Sequence, residues 1–156
     1  MTLEEQVVNK LIEKIFHISF AESCTGGMCC GTIVNVPNAS RVLDMSFVTY
    51  ADYAKCKLIG VNEKTVADFG VVSEQVAYEM AQGVAKTANS EVGVGVTGIA
   101  GPTGATETKP VGMVCFGFCI NGKVTTVTKY FGNIGRNVVR KSSVDFVMTQ
   151  LLKLLD

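Results

Sequence analysis

The chain has 156 residues, of which 47% are hydrophobic and 18% charged, and this composition indicates one globular domain rather than a disordered segment. Its 14 basic and 14 acidic side chains cancel, so the net charge does not favour nucleic acid or an anionic membrane as a direct partner. No apolar run approaches the ~20 residues of a membrane helix, and the N-terminal segment is acidic where a signal peptide would be basic, so we expect a cytoplasmic protein.

The first half of the chain alternates between helical and strand-like hydrophobic patterns. Apolar residues recur at helical spacing from Leu3 to Phe16, which predicts an amphipathic first helix. In chain order, the elements predicted after it are a buried strand at 17–21, a helix at 28–36, a loop or short helix at 38–44, a strand at 45–50, a helix at 52–59 and a short turn capped by Asn62 that ends at Gly70.

The second half predicts one more helix, three strands and a final helix. These are a helix at 74–88 capped by Ser73, a strand at 91–97, strands at 111–120 and 123–131 joined by Asn121 and Gly122, and a helix at 136–155. The two glycines in the strand at 91–97 predict a close backbone approach on one face. The order of elements predicts a mixed, mostly parallel α/β sheet with helices on both faces and a β-hairpin near the C-terminus.

Candidate functional segments follow three of the predicted strands. In an open α/β sheet, ligands bind beyond the carboxyl ends of the strands. If the predicted topology is right, the segments 22–27, 49–55 and 97–104 converge at that edge. We therefore expect a single small-molecule site there.

Ser23 is the candidate nucleophile because it lies between a strand and the start of a helix. Its hydroxyl would be presented at the sheet edge, and backbone N–H groups near Gly26 and Gly27 could face a developing oxyanion. The alternative is that Ser23 and Thr25 only cap the helix. The single histidine, His17, begins the same strand and would lie about 20 Å away, too far to act as the base.

Lys55 is the candidate base. Burial and the nearby start of its helix would lower its pKa, and a neutral amine can accept the proton of a serine. Tyr50 could join as a hydroxyl relay or as a ring on which a substrate stacks. The alternative is that Lys55 and Lys57 are both solvated helix lysines.

The six cysteines do not indicate a metal site. They form no C-x-x-C pair, and only one histidine accompanies them, so we expect no structural zinc. Cys24, beside Ser23, is a rival nucleophile, but without a nearby histidine it should stay a thiol and serve packing.

Two further segments could hold a phosphate. The loop at 98–104 has three glycines and a proline and could cradle phosphate or ribose, although it has neither the dinucleotide nor the P-loop spacing. The alternative is an ordinary solvent-exposed loop. Arg136, at the start of the last helix, and Arg140, one turn later, would also suit a phosphate, unless they are ordinary surface arginines.

Taken together, these segments resemble the C-terminal domain of the CinA competence/damage-inducible proteins. The resemblance spans nearly the whole chain, and the motifs occur in the family's order. They are AESCTGG at 21–27, FVTY at 47–50, Lys55 with LIG at 58–60, GVVSE at 70–74, GIAGP at 98–102 and KPVG at 109–112.

The resemblance implies a three-layer α/β/α sandwich and a hydrolase that converts nicotinamide mononucleotide to nicotinic acid mononucleotide and ammonia. It places a serine nucleophile at Ser23, with Lys55 and Tyr50 nearby, and requires no metal or organic cofactor. It also implies a homodimer. The residues expected to bind the nucleotide substrate are Glu22, Thr25, Gly26, Gly27, Thr49, Thr97, Gly98, Gly101, Arg136 and Arg140.

Two other functions remain open at this point. One is a non-catalytic nucleotide-binding or partner module linked to competence or DNA damage, and the other is the same serine chemistry on a different amide. One position also departs from the family pattern, since Ala105 stands where a second glycine is expected after Gly104. If that position requires a positive φ, alanine would be strained.

Overall fold

Six α-helices surround one five-stranded sheet in the computed structural model, which describes all residues from Met1 to Asp156. The strands are β1 (Ile18–Glu22), β2 (Phe47–Val48), β3 (Val92–Gly98), β4 (Met113–Ile120) and β5 (Lys123–Tyr130). The helices are α1 (Leu3–Lys14), α2 (Met28–Val34), α3 (Asp52–Ile59), α4 (Glu63–Phe69), α5 (Glu74–Ala88) and α6 (Arg136–Leu154). A single 3-10 turn covers Ala39–Arg41.

The strands lie in the order β2-β1-β3-β4-β5. β1 pairs in parallel with both β2 and β3, whereas β4 pairs antiparallel with both β3 and β5. Only β4 therefore runs against the other four strands. This confirms the mixed, mostly parallel sheet with a hairpin near the C-terminus.

The helices form two layers, one on each face of the sheet. Alternate residues of β4 show the division, because Phe116 and Phe118 enter a core of 24 buried residues, whereas Cys115 and Cys119 pack toward α5. The larger core lies under α1, α2 and α6, and α5 covers the other face with α3 and α4 beside it. The three-layer α/β/α sandwich is confirmed. No helix combines the length and hydrophobicity that crossing a bilayer requires.

Glycines on β3 and β4 let α5 approach the sheet closely. A Cβ placed on Gly95 would lie 2.7 Å from the Cβ of Met80 and 2.8 Å from the carbonyl oxygen of Ala77. Gly93 and Gly117 meet the backbone of α5 at still shorter range. The close approach predicted from the two glycines of β3 is confirmed, and Gly117 of β4 takes part in it.

Two predicted strand boundaries are wrong for identifiable reasons. β2 covers only Phe47–Val48 instead of 45–50, because the chain turns toward α3 after Thr49 donates its N–H to Glu22 O at 2.8 Å. β4 begins at Met113 instead of 111, because Gly112 adopts a φ of +89° and two residues of this strand lie opposite Ile99. The Gly112 N–H donates to Ile99 O, and Met113 O accepts the Ile99 N–H. That two-against-one pairing is a β-bulge.

Smaller differences affect the ends of other elements. α1 ends at Lys14 rather than 16 and α2 at Val34 rather than 36, and the remaining helices and strands shift by at most one residue at an end. φ is not positive at Ala105, so the strain suggested by the family pattern does not arise there.

Replacing Gly117 with alanine should destabilise the fold, because the new methyl group would meet the backbone of α5 at Ala77. Overpacking of this kind costs about 1–3 kcal/mol. The matched control is Gly31→Ala on α2, where a Cβ meets nothing within 4 Å and the substitution should raise helix stability by about 0.5–1 kcal/mol. Urea unfolding of both variants checks this, and a Gly117→Ala protein as stable as the wild type would contradict it.

Candidate active site

A cavity of about 200 Å³ lies at the carboxyl ends of β1 and β3, beside the segment that follows β2. Its lining comes from all three segments whose convergence was predicted, together with residues from the turn before α5 and from α6. The lining residues are Ser23, Cys24, Tyr50, Asp52, Lys55, Val71, Val72, Thr97, Gly98, Ala100 and Arg136. A larger hollow of about 440 Å³ lies between α4 and α5, away from the three converging segments.

Lys55 and Ser23 meet inside this cavity. The Lys55 Nζ lies 3.2 Å from Ser23 Oγ, which is within the reach expected of a base and its nucleophile. The same Nζ also donates to the carbonyl oxygens of Thr49, at 2.7 Å, and Tyr50, at 3.3 Å. Carbonyl oxygens only accept hydrogen bonds, so in the neutral amine they take two N–H groups and the lone pair is left for the serine hydroxyl.

The amine is in an environment that favours its neutral form. Lys55 is fully buried, at 0% exposure, and this burial lowers the pKa of its amine below the usual value of 10.5. The negative charge of Asp52 acts in the opposite direction and raises that pKa, but burial dominates. A neutral Lys55 can therefore act as a base toward Ser23.

A tight turn at the end of β1 presents Ser23. The Ser23 N–H extends the parallel ladder by donating to Val96 O at 3.0 Å, and the Ser23 carbonyl then accepts the Gly26 N–H at 3.0 Å. Gly26 and Gly27 have φ values of +56° and +98°, which glycine adopts without strain. These glycines let the chain reverse from strand to helix directly after the nucleophile.

Gly26 is not available as an oxyanion donor, contrary to the sequence-based expectation, because its N–H closes this turn. Gly27 lies outside the cavity lining. The Cys24 N–H, directly after the nucleophile and within the lining, donates to no protein acceptor. Cys24 is therefore the better-placed donor of this turn.

A second free donor comes from the register of β3. The Ile99 N–H donates to Met113 O of β4, at 2.9 Å, so the N–H of the preceding residue, Gly98, faces β1. β1 ends at Glu22, and the next carbonyl that could accept the Gly98 N–H is that of Ser23. This carbonyl already accepts the Gly26 N–H. The Gly98 N–H therefore faces the end of β1, next to Ser23.

Glu22 serves the fold of this region. Its carboxylate is 1% exposed and accepts the N–H groups of Cys29, at 2.8 Å, and Cys30, at 3.0 Å, in the first turn of α2. It does not line the cavity, and neither does Thr25, which is fully buried. The geometry therefore does not support the direct substrate contacts expected of Glu22 and Thr25. Thr49 is also buried and contributes its carbonyl oxygen to Lys55.

Arg136 connects two loops at the mouth of the cavity. Its Nη1 donates to Gly101 O at 2.9 Å, and its Nη2 donates to the Tyr50 hydroxyl at 3.1 Å. The Tyr50 side chain is 60% exposed, and only the carbonyl of this residue contacts Ser23, at 3.5 Å, and Lys55. The geometry therefore favours the Tyr50 ring as a surface for the substrate over the hydroxyl relay.

Arg140 and Thr97 support the site from behind. Arg140 Nε donates to Cys24 O at 2.9 Å, which holds the turn that carries Ser23, and Arg140 lies outside the cavity lining. Thr97 is buried and donates its hydroxyl to Val71 O at 2.9 Å, so it fixes one wall of the cavity.

Several lining residues were missed by the sequence analysis. Asp52 lies three residues before Lys55 on α3, and this helical spacing is a signal that could have identified it. Val71, Val72 and Ala100 carry no comparable signal. Cys24 also lines the cavity, but burial raises the pKa of its thiol to about 11, which agrees with a packing role rather than a nucleophilic one.

Comparison with known proteins assigns the chain to one family. The CinA C-terminal domain matches residues 1–155. A relative from Clostridium perfringens SM101, named as a competence-damage inducible protein, is 46% identical over 156 residues, which are 100% of this chain and 38% of the relative. The chain spans only 28 to 38% of the length of the first curated relatives that it matches.

Solved structures agree closely with this fold. The competence/damage inducible protein CihA from Agrobacterium tumefaciens is 35% identical with a TM-score of 0.92, and the match covers 100% of this chain and 98% of that one. The competence or damage-inducible protein from Enterobacter asburiae is 31% identical with a TM-score of 0.95, over 99% of this chain and 96% of that one. This chain therefore belongs to the CinA C-terminal domain family.

Proposed function

We propose that this chain is a serine amidohydrolase that converts nicotinamide mononucleotide to nicotinic acid mononucleotide and ammonia. The observation that carries the proposal is the 3.2 Å contact between Lys55 Nζ and Ser23 Oγ. Two backbone carbonyls accept the N–H groups of the neutral amine and leave its lone pair for Ser23. The choice of substrate is supported by the resemblance to the family, whereas the serine chemistry is supported by the geometry.

In the proposed reaction, neutral Lys55 takes the hydroxyl proton as Ser23 Oγ attacks the carboxamide carbon. The carbonyl oxygen becomes negative, and the N–H groups of Cys24 and Gly98 are the donors placed to receive it. The C–N bond then breaks, Lys55 returns the proton to the leaving nitrogen, and ammonia departs. Water repeats the sequence on the acyl-enzyme with Lys55 as base, and this step releases the acid and restores Ser23.

The size of the cavity suggests how a nucleotide would sit. About 200 Å³ is below the ~300–1,000 Å³ of sites that enclose drug-sized ligands, so the cavity would hold the ring and its carboxamide. The ribose phosphate would extend past the mouth, where Arg136 is exposed at the start of α6. A guanidinium at that place suits a phosphate. We expect the protein to act in the cytoplasm as a homodimer and to need no cofactor.

Ser23→Ala and Lys55→Met should each abolish most ammonia release from nicotinamide mononucleotide. Loss of a general base costs roughly 10²–10⁴-fold in rate, and loss of a serine nucleophile costs at least as much. The matched control is Lys57→Met, which removes an exposed lysine from the same helix and should leave kcat/KM unchanged. Circular dichroism verifies the fold of each variant.

Two results would contradict the proposal. One is a wild-type protein without turnover in an assay where a known deamidase is active. The other is a Ser23→Ala protein that keeps its activity, which would move the nucleophile elsewhere. Binding of the nucleotide without hydrolysis would instead favour the non-catalytic module.

The pH dependence should report the lowered pKa of Lys55. Since the neutral amine is the active form, kcat/KM should rise with pH and level off below 10.5, the ordinary lysine value. The stability of the fold should also rise with pH. Between the lowered pKa of Lys55 and 10.5, this amine is protonated more fully in the unfolded state than in the folded state. The free energy of unfolding of the wild type should therefore rise with pH relative to that of Lys55→Met. A profile without this acidic limb would show that Lys55 is not the base.

A further inference from the structure

Asp52 is the only acidic residue that lines the cavity, and the site as described so far does not use it. Besides Lys55, the side chains that line this space and carry a charge are Asp52 and Arg136. Arg136 donates to Gly101 O and the Tyr50 hydroxyl, and no ion pair connects it to Asp52. The carboxylate therefore has no partner within the protein.

Asp52 lies in the first turn of α3, where an acidic side chain suits the helix dipole, but no direct contact holds its carboxylate. The N-cap of α3 is Ala51, no side chain caps this helix, and the Asp52 carboxylate makes no hydrogen bond of its own. Residues three apart on a helix lie on the same face, so Asp52 is a neighbour of Lys55 along the cavity wall. The wall thus presents a negative charge one turn from the base.

An oxidised nicotinamide ring carries a fixed positive charge on its ring nitrogen, and the carboxamide is attached to the same ring. A carboxamide that lies against Ser23 and Lys55 places this charged ring in a cavity whose single carboxylate is Asp52. We propose that Asp52 makes the site selective for carboxamides on a positively charged ring. The proposal rests on the amidohydrolase function proposed above.

The expected effect is on binding rather than on the chemical step. The ring charge is present before and during the reaction, so its attraction to Asp52 changes KM and Kd and leaves kcat largely unaffected. For one exposed carboxylate at close range, roughly five- to tenfold in affinity is expected.

Asp52 also influences Lys55, and the two roles can be separated. The negative charge of Asp52 raises the pKa of the amine, so its removal would shift the pH profile of every substrate in the same way. Selection of a charged ring would change the affinity for charged ligands only. A neutral ligand of the same shape therefore distinguishes them.

The test compares nicotinamide mononucleotide with its reduced dihydropyridine form, which has the same phosphate, ribose and carboxamide but an uncharged ring. Titration calorimetry measures both Kd values in the Ser23→Ala protein, which cannot turn the ligand over, with and without Asp52→Asn. Asp52→Asn should weaken binding of the oxidised nucleotide roughly five- to tenfold and leave binding of the reduced one unchanged. The control Glu63→Gln removes another exposed first-turn acid, which lies outside the cavity, and should change neither.

Equal weakening of both ligands, no change for the oxidised one, or no binding of either to Ser23→Ala would each overturn the proposal. If only the hydrolase function is wrong, the result is different. The wild type would then release no ammonia, whereas Asp52→Asn would still weaken binding of the oxidised nucleotide alone.

Discussion

The structure of this site depends on the burial of one amine among oxygen acceptors. A fully buried lysine is unfavourable as a cation, and its N–H groups would be costly to leave without partners. The carbonyl oxygens of Thr49 and Tyr50 accept two of them, and Ser23 lies at the third position. Desolvation lowers the pKa of the amine, and the hydrogen bonds aim it at a hydroxyl.

This arrangement also accounts for the short β2. A longer strand would keep the chain beyond Thr49 in line with β1, and the carbonyls of Thr49 and Tyr50 would then lie in the plane of the sheet. Because the chain leaves the sheet once the Thr49 N–H has bonded to Glu22 O, these carbonyls turn toward α3 and reach Lys55. The sequence MSFVTY has strand-forming residues throughout, so local propensity predicts six residues of strand where the structure has two.

Most of the fold could be predicted from the sequence because its signals are local. Periodicity located α1, the Ser73 cap located α5, and Asn121 with Gly122 located the hairpin. The ends of β2 and β4 could not be predicted, because they are decided by Lys55 and by the bulge at Gly112, which bring together residues distant in the chain.

The candidate site was predictable in part for a related reason. Ser23 and Lys55 follow β1 and β2, which run in parallel, so topology alone places them at the same edge of the sheet. Glu22, Thr25 and Gly26 share a motif with Ser23, but they bond to α2 or within the turn itself. A motif identifies which residues lie close together, whereas the direction in which each one faces depends on the strand register, which only the structure shows.

The alternation of N–H directions along β3 has a consequence for the backbone donor at Gly98. Because the N–H groups of β3 alternate between β1 and β4, the orientation of this donor depends on the number of residues in the strand and not on any side chain. Exchanging side chains along β3 leaves the donor in place, whereas inserting or deleting a single residue turns it toward β4. Apart from the glycines that α5 packs against, related chains can therefore vary the composition of this strand, provided that they conserve its length.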